Sequence, residues 1–399
     1  MKRFGLLVIS AMLLGCTTSP SPVLPPLALT PIENPLYVRS NWNSVIGRGV
    51  GENYLKMQPD FAGNIGYVAD YQGYVRAFDV ISGERQWTMQ LDLPIASGPA
   101  VVEGKLLFGT SQGIVMACDL HNGKELWRAT VSSEVLASPQ GDEGIVVVRT
   151  VDGRVYGLSA DNGKRLWVYD RSVPLLTLRG NSVPVIHNGI VIIGTDSGKL
   201  AALTLKNGTL LWETQIAEPH GRTELERMVD IDTQPIVMED VIYVVTYQGR
   251  LATVQLDSGR MLWARDISSY SGMALDPYRV YVTDSESQVW ALNRFNGATL
   301  WRQDKLLRRS LTAPVLQGPY LIVADFDGYV HWLTREDGHI VARKRINQDW
   351  HEAHEEDSPQ DEIQFSKENN VLAAPKEFDK LILVMDRSGH IAALELERP

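Results

Sequence analysis

One segment near the C-terminus carries residue types that bind metal ions. It reads His351-Glu352-Ala353-His354-Glu355-Glu356-Asp357, with Asp361 and Glu362 just beyond it. The zinc protease pattern needs two residues between the Glu and the second His, so that both imidazoles share one face of a helix, and here there is only one. We therefore predict no metal site and expect 351–362 to form an acidic, solvated loop.

Cysteine chemistry is sparse. Cys118 follows the apolar run Ile114-Val115-Met116-Ala117, so buried packing is expected rather than reactivity. The other cysteine, Cys16, ends an apolar N-terminal stretch. The sequence has neither adjacent cysteines nor a C-x-x-C-H haem attachment site. The cysteines therefore predict no internal disulfide and no catalytic residue.

A repeated sequence pattern runs through most of the chain and must determine where all of these residues lie in the fold. A glycine stands four residues before a tryptophan six times, and a second position, usually glycine, stands 14 residues before the same tryptophan. The glycine–tryptophan pairs are Gly83 and Trp87, Gly123 and Trp127, Gly163 and Trp167, Gly208 and Trp212, Gly259 and Trp263, and Gly297 and Trp301. In a seventh copy Gly338 is followed by Ala342, and an eighth copy begins at Gly389.

Each repeat predicts four short antiparallel strands. Apolar residues alternate on both sides of an Asn-Gly or Ser-Gly turn, which is typical of a β-hairpin, and two more strand-like runs precede each hairpin. Four strands in about 40 residues form one propeller blade. We therefore predict an all-β, eight-bladed β-propeller, with the tryptophans packed between blades rather than stacked on a ligand.

The eighth repeat is incomplete. The chain ends at Pro399, after one strand and before any outer strand, which would leave a strand edge unpaired. The segment from Tyr37 to Trp42 has a tryptophan with no hairpin before it. We predict that this N-terminal segment closes the ring as the outer strand of the last blade.

The N-terminus predicts a membrane-anchored protein. Lys2 and Arg3 precede an apolar run too short to span a bilayer, and Leu13-Leu14-Gly15-Cys16 resembles the lipobox of bacterial lipoproteins. We assign 1–15 as a lipoprotein signal peptide, 16–35 as lipidated Cys16 with a proline-rich tether, and 36–399 as the propeller. An extended tether from Thr17 to Pro35 would reach about 60 Å. An ordinary secretory signal with a chance cysteine is the alternative.

The charge balance argues against one class of partner. The formal net charge is -10, and loss of Lys2 and Arg3 with the signal would make it more negative. Nucleic acid is bound mainly through basic patches, so no nucleic-acid partner is predicted.

The blade repeat resembles the pyrroloquinoline-quinone-type repeat, which quinoprotein dehydrogenases share with the BamB family of outer-membrane lipoproteins. A periplasmic dehydrogenase of the quinoprotein kind is thus the alternative function. Those enzymes are typically longer, often carry adjacent cysteines beside the cofactor and hold a calcium ion, and no compact set of ligands for such an ion stands on one loop here. We therefore predict no cofactor and no catalytic residues.

Two segments resemble the BamB family more specifically than the repeat does. Pro174 to Ser182, reading PLLTLRGNS, is similar to the family's SLSLRGES loop, and Thr223 to Thr233, reading TELERMVDIDT, is similar to its TEIDRLSDVDT. The resemblance implies that Leu176, Leu178, Arg179, Asp230 and Asp232 contact BamA, the partner in that family. We therefore expect the two segments to meet and these residues to form one contiguous exposed patch, although about 50 residues separate the segments in the sequence.

The residues alone leave alternatives open. Leu176 and Leu178 would share one face of a strand and, if exposed, would form an apolar contact with Arg179 beside it, but two leucines between blades would fit as well. Asp230 and Asp232 could hold an arginine or stay solvated. Thr223 and Glu226 fit a capping box, which predicts a short helix.

The resemblance therefore implies a non-enzymatic scaffold. Its expected place is the periplasmic face of the outer membrane, held by a lipid anchor. Its expected partners are the periplasmic POTRA domains of BamA, other lipoproteins of the β-barrel assembly (BAM) complex indirectly, and nascent outer-membrane proteins. A carrier that briefly binds unfolded outer-membrane strands is compatible with the same surface.

Overall fold

The computed structural model of the protein describes residues 24–171, 174, 176–179, 182–346 and 370–397. These residues form 32 β-strands and no α-helix. The strands make eight separate four-stranded antiparallel sheets. The predicted eight-bladed propeller is confirmed.

Seven blades use four consecutive strands each, and the eighth combines strands from both ends of the chain. The strands of blades 1 to 4 are β2 Asp60–Ala62, β3 Ile65–Ala69, β4 Tyr74–Asp79, β5 Arg85–Gln90; β6 Ala100–Val102, β7 Lys105–Gly109, β8 Ile114–Asp119, β9 Glu125–Thr130; β10 Gln140–Asp142, β11 Ile145–Arg149, β12 Val155–Ser159, β13 Arg165–Tyr169; and β14 Val185–His187, β15 Ile190–Gly194, β16 Lys199–Thr204, β17 Leu210–Gln215.

The strands of blades 5 to 8 are β18 Ile236–Met238, β19 Val241–Val245, β20 Leu251–Gln255, β21 Met261–Arg265; β22 Gly272–Leu275, β23 Arg279–Thr283, β24 Val289–Asn293, β25 Thr299–Gln303; β26 Val315–Gln317, β27 Tyr320–Ala324, β28 Tyr329–Thr334, β29 Ile340–Arg345; and β30 Lys376–Phe378, β31 Leu381–Met385, β32 His390–Leu396, β1 Val38–Val45.

The first strand of each blade lies innermost. Neighbouring first strands contact one another, as β2 does β6 and β10 does β14, while the last strand of each blade lies at the outer edge. Because adjacent strands are antiparallel, every passage from an outer strand to the next inner strand lies on the same face of the ring. We call this the crossover face; its described residues lie within the connections 46–59, 91–99, 131–139, 170–184, 216–235, 266–271, 304–314 and 370–375.

Tryptophans join the blades. In seven blades the outer-strand indole Nε1–H donates to a backbone carbonyl of the next blade, at 2.8 to 3.1 Å. The donors and acceptors are Trp42 and Val80, Trp87 and Leu120, Trp127 and Ala160, Trp167 and Leu205, Trp212 and Leu256, Trp263 and Arg294, and Trp301 and Arg335. The expected packing role between blades is confirmed.

The glycine of each hairpin explains the fixed spacing. Gly83 has φ +73°, which favours glycine, and a Cβ placed on it would lie 2.6 Å from the Trp42 ring of the preceding blade. The corresponding glycines of blades 2 to 7 also stand against aromatic rings of the preceding blade. Glycine is therefore required twice over, for the turn and for the approach of the neighbouring indole.

Blade 7, which lacks the outer tryptophan, reverses the usual pair. Elsewhere the tryptophan stands opposite a small residue on the adjacent strand, such as Gly157 opposite Trp167. In blade 7 the buried Trp332 on β28 stands opposite Ala342 on β29. A tryptophan at 342 would have to meet a hairpin glycine of blade 8, and blade 8 has no such hairpin because its outer strand comes from the N-terminus.

That N-terminal strand closes the ring as predicted. β1 pairs with β32 from Val38 opposite Leu396 to Val45 opposite His390. Trp42 then crosses to blade 1, where its indole bonds to Val80 and packs edge-on against Phe78. The blade with both chain ends thus makes the same interblade contact as the others.

Three further expectations concern single features. Cys118 is completely buried, which raises the pKa of its thiol to about 12, so the expected packing role is confirmed. Cys16 and the His/Glu segment 351–362 lie outside the described residues. In the described part of the chain, no helix is long and apolar enough to cross a membrane.

Ring closure can be tested at Trp42. We expect Trp42→Ala to lower the free energy of unfolding by about 3 kcal/mol, since it removes an indole packed between the first and last blades together with its hydrogen bond. Leu300→Ala, on an exposed outer-strand position, should change it by only about 0.5 kcal/mol. Equilibrium urea unfolding measures both. Equal curves for the two variants would mean that closure does not depend on Trp42.

Candidate functional site

The segment predicted to contact a partner lies on the crossover face, between blades 3 and 4. Leu176 is 38% exposed, Arg179 is exposed and Leu178 is half-buried. None of these residues belongs to a strand, so the two leucines do not share a strand face as the alternation suggested. Leu175, Gly180 and Asn181 lie outside the described residues.

The second predicted segment is the next connection, between blades 4 and 5. Ile231 is buried in the hydrophobic cluster shared by these blades, and Gly194 leaves room for its side chain. Asp230 and Asp232, on either side of it, are also buried. The expectation that the aspartates share an exposed patch with the leucines is therefore wrong, because Ile231 pulls the segment into the core.

The two segments nevertheless meet, as predicted. The Leu178 N–H donates a hydrogen bond to Oδ2 of Asp230, 52 positions away in the sequence. The Asp230 backbone is itself fixed, because its carbonyl accepts from the Tyr247 N–H at 2.9 Å. The buried Asp230 thus fixes, from the interior side, the backbone of the loop that exposes Leu176 and Arg179.

Asp232 faces the axis of the ring. Its Oδ2 lies 3.3 Å from Nζ of Lys56, and the same ammonium group donates to the Tyr270 carbonyl at 2.8 Å. The sequence left open whether the aspartates hold an arginine or stay solvated. Asp232 instead pairs with a lysine.

Glu134 completes the loop and was missed by sequence reasoning. It forms an ion pair with Arg179 across the gap between the blade 2–3 and blade 3–4 connections. The arginine is largely exposed, so the pair contributes about 0 to 1 kcal/mol to stability and mainly orients the guanidinium. No sequence signal marks Glu134, because its pairing depends on how two connections converge.

Buried charges surround Asp230. Arg149 and Asp196 form a buried ion pair of 2.5 Å close by. Burial raises the pKa of Asp230 to about 7; Asp196 and Asp232 add to the rise, while the Leu178 N–H and Arg149 oppose it. Oδ1 of Asp230 is buried with no hydrogen-bond partner among the described residues. Because this pKa lies near neutral pH, the protonation state of Asp230 changes between mildly acidic and mildly basic conditions.

The predicted helix in the second segment is a single turn. The capping-box bonds are present: the Glu226 N–H donates to Thr223 Oγ1 at 3.2 Å, and the Thr223 N–H donates to Glu226 Oε2 at 3.1 Å. The chain nevertheless leaves this turn at Met228, whose side chain is buried, and Val229 and Ile231 follow it into the interior. The helix prediction is wrong because tertiary packing of these apolar residues overrides the local cap.

Two cavities open on the crossover face. One, of about 470 Å³, is bordered by Leu178, Arg179, Glu134, Leu136 and Tyr54. The other, of about 640 Å³, lies nearer the axis and includes Lys56 and Asp232 in its wall. The first cavity gives the loop a concave, partly apolar neighbour with charged groups at its rim, which suits side chains of a protein partner.

In the parts of the chain that the structure describes, no group of three His, Cys, Asp or Glu side chains is placed to hold a metal ion. In the wall of the axial cavity, Asp232 is already paired with Lys56.

The closed ring of eight four-stranded blades defines a β-propeller protein, and its crossover face displays the Leu176–Arg179 loop. The chain belongs to the BamB family: residues 71–303 match the family described as outer membrane protein assembly factor BamB. A relative of that name from Pseudomonas aeruginosa is 44% identical over 348 residues, covering 87% of this chain and 92% of the relative.

Solved structures share the fold. BamB from Moraxella catarrhalis superimposes with a TM-score of 0.78 at 23% identity, covering 90% of this chain and all of that one. The quinohemoprotein alcohol dehydrogenase from Comamonas testosteroni gives a TM-score of 0.69 at 13% identity, covering 90% of this chain and 76% of the enzyme. The likeness to the enzyme is one of fold alone.

The buried carboxyl predicts an unusual pH dependence. The pKa of Asp230 in the folded protein, about 7, exceeds the ordinary value of about 4 in the unfolded chain, so the folded state binds the proton more tightly. The stability contributed by this group is complete below pH 4 and is lost as pH rises through 7, at up to about 1.4 kcal/mol per pH unit.

Asp230→Asn removes this titration and keeps an oxygen acceptor for the Leu178 N–H. We expect its stability relative to the unmodified protein to increase between pH 4 and 8 in urea unfolding experiments. Asp240→Asn, in an exposed turn, is the matched control and should show no such trend. Parallel stability curves for Asp230→Asn and the unmodified protein would contradict the assignment.

Proposed function

We propose that the protein is a non-enzymatic scaffold in the assembly of outer-membrane proteins. Relatives that match most of this chain are named outer membrane protein assembly factor BamB. The observation that carries the proposal is the Leu176–Arg179 loop, which is held from below by Asp230 and leaves a leucine and an arginine exposed. Scaffolds need such a fixed and accessible contact.

The proposed partner is BamA, through its periplasmic POTRA domains. Leu176 and Leu178 supply apolar contacts, Arg179 supplies a guanidinium at their edge, and Asp230 and Asp232 position the loop and the neighbouring wall from within. Arginine and large apolar side chains at the centre of an interface carry most of its binding energy. Other lipoproteins of the BAM complex are indirect partners, and nascent outer-membrane proteins are candidate clients.

The proposed location is the periplasmic face of the outer membrane. Residues 1–15 serve as the lipoprotein signal, lipidated Cys16 and the segment to Pro35 form the attachment, and 36–399 form the propeller. A lipid chain together with a protein partner gives two points of attachment, which makes membrane association stable. The outer-membrane assembly role of the relatives supports this placement.

The partner surface can be tested by binding. We expect Leu176→Ala, Leu178→Ala and Arg179→Ala each to weaken binding of purified BamA periplasmic domains by about 2 kcal/mol or more. Thermal melts should stay nearly unchanged for the exposed Leu176 and Arg179, since such substitutions change stability by about 0.5 kcal/mol. Leu126→Ala, an exposed leucine on the outer strand of blade 2, is the matched control.

The two aspartates give a second arm to this experiment. A double change of Asp230 and Asp232 to Ala should weaken binding by releasing the loop, whereas Asp230→Asn should retain it. Unchanged binding with normal melts would remove all five residues from the interface. Lost binding with a collapsed melt would assign the leucines to the core.

The absence of an enzymatic role can be tested directly. We expect no alcohol- or sugar-dependent dye reduction, and no saturable cofactor binding, when pyrroloquinoline quinone and calcium are added to the purified protein. The reason is that Asp232 is engaged with Lys56 at the axial cavity. A quinoprotein dehydrogenase reconstituted in parallel is the positive control, and turnover by this protein would favour the dehydrogenase alternative.

A further inference from the structure

Residues 24–36, here called the strap, lie against blades 6 and 7, although the sequence predicts a proline-rich tether through Pro35. Two backbone hydrogen bonds fix the ends of the strap. The Leu27 N–H donates to the Leu307 carbonyl at 3.0 Å, and the Leu36 N–H donates to the Val341 carbonyl at 2.9 Å. The strap is therefore docked over most of its length.

Three arginines donate hydrogen bonds to backbone carbonyls of the strap. Arg308 Nε donates to the Pro25 carbonyl at 2.7 Å, Arg309 Nη1 to the Leu27 carbonyl at 3.3 Å, and Arg343 Nη1 to the Thr30 carbonyl at 3.2 Å. An extended proline-rich chain makes no internal hydrogen bonds, so its carbonyls are free to accept. The arginines thus match the backbone of an extended chain.

We call Arg308, Arg309 and Arg343 the arginine seat. Buried partners hold two of these side chains in fixed positions. Arg309 is buried, with Nε 2.6 Å from Asp325 Oδ2 and its guanidinium over the ring of Phe326. Arg343 is also held, since its Nε donates to Nδ1 of the buried His331 at 3.2 Å. A seat fixed by buried partners loses little entropy when it binds the strap.

Apolar contacts add to the polar ones. Leu29 and Ile32 pack against the hydrophobic cluster between blades 6 and 7. By contrast, Leu24 is 62% exposed and lies at the start of the strap. The strap is therefore held both by arginines that bind its carbonyls and by two side chains that pack on the hydrophobic cluster.

The strap has a definite direction. Leu36 lies near the start of β1, on the face opposite the crossover face, while Leu27 contacts Leu307 in the blade 6–7 connection on the crossover face. Followed backwards from β1, the chain thus climbs the outer side of blade 7 and reaches the crossover face. The Leu176–Arg179 loop lies on that same face.

We infer that the docked strap makes the lipid anchor leave the propeller from the crossover face, so that the membrane attachment and the partner surface share one face. This inference rests on the proposed lipidation of Cys16. It also shortens the reach of the anchor. Residues 17–23 would cover about 22 Å if they were extended, against about 60 Å for the whole stretch to Pro35.

The orientation can be measured by energy transfer in vesicles. Full-length lipidated protein would carry a donor dye at Asp92→Cys, on the crossover face, or at Lys124→Cys, on the opposite face of nearly the same sector. Cys118 is buried and will not compete for the label. We expect severalfold more transfer to acceptor-labelled lipids from position 92 than from position 124.

Two variants release the strap by different routes. Leu29→Ser with Ile32→Ser removes its apolar contacts, and Arg308→Ala removes a donor from the seat. Both should reduce the difference between the two label positions and speed amide exchange at Leu27 and Leu36. Leu24→Ser with Ala28→Ser, at exposed strap positions, is the matched control and should behave like the unmodified protein.

The outcomes separate this inference from the proposed function. Equal transfer from the two positions in vesicle-bound protein, or unprotected amides at Leu27 and Leu36, would overturn the strap while leaving the anchor and BamA binding intact. Failure of the protein to sediment with vesicles would overturn the anchor and, with it, the orientation. BamA binding is measured separately on the same samples.

Discussion

The contact between an outer-strand indole and the next blade is the interaction on which the ring depends. It combines a hydrogen bond to a carbonyl, apolar burial and a glycine that lets the ring approach, and it recurs between neighbouring blades around most of the circle. A four-stranded sheet cannot bury both of its faces alone, so each blade relies on this contact for stability. The spacing of glycine and tryptophan is regular in the sequence because every such contact needs both residues at the same places in the blade.

The single exception follows from ring closure. Blade 8 takes its outer strand from the N-terminus, which removes the hairpin against which a tryptophan at 342 would pack. The large side chain moves to Trp332 on the adjacent strand and remains buried, while Leu36 joins the same cluster. A large side chain is thus buried between blades 7 and 8 although the positions of the large and small residues are exchanged, as expected of a closely packed core.

On the crossover face, buried polar groups hold the Leu176–Arg179 loop in position. Asp230 is kept in the interior close to Asp196 and Asp232, an arrangement that costs stability when the carboxyl is ionised. In return the backbone of Leu178 has a fixed acceptor, and the loop that displays Leu176 and Arg179 is positioned from below. Buried carboxyl groups with raised pKa values, in an otherwise regular fold, are typical of functional sites.

The sequence by itself determined the fold, the number of blades and the closing strand, because the period of a repeat reports contacts that recur with it. It also singled out the two segments that meet at the site. Only the tertiary structure decided which of their side chains are exposed: Asp230 and Asp232 are buried because Ile231 between them enters the core, and a capping box closes a single turn instead of a helix. Glu134 and the arginines that hold the strap carry no local signal, since their partners lie on distant connections that converge only when the ring has closed.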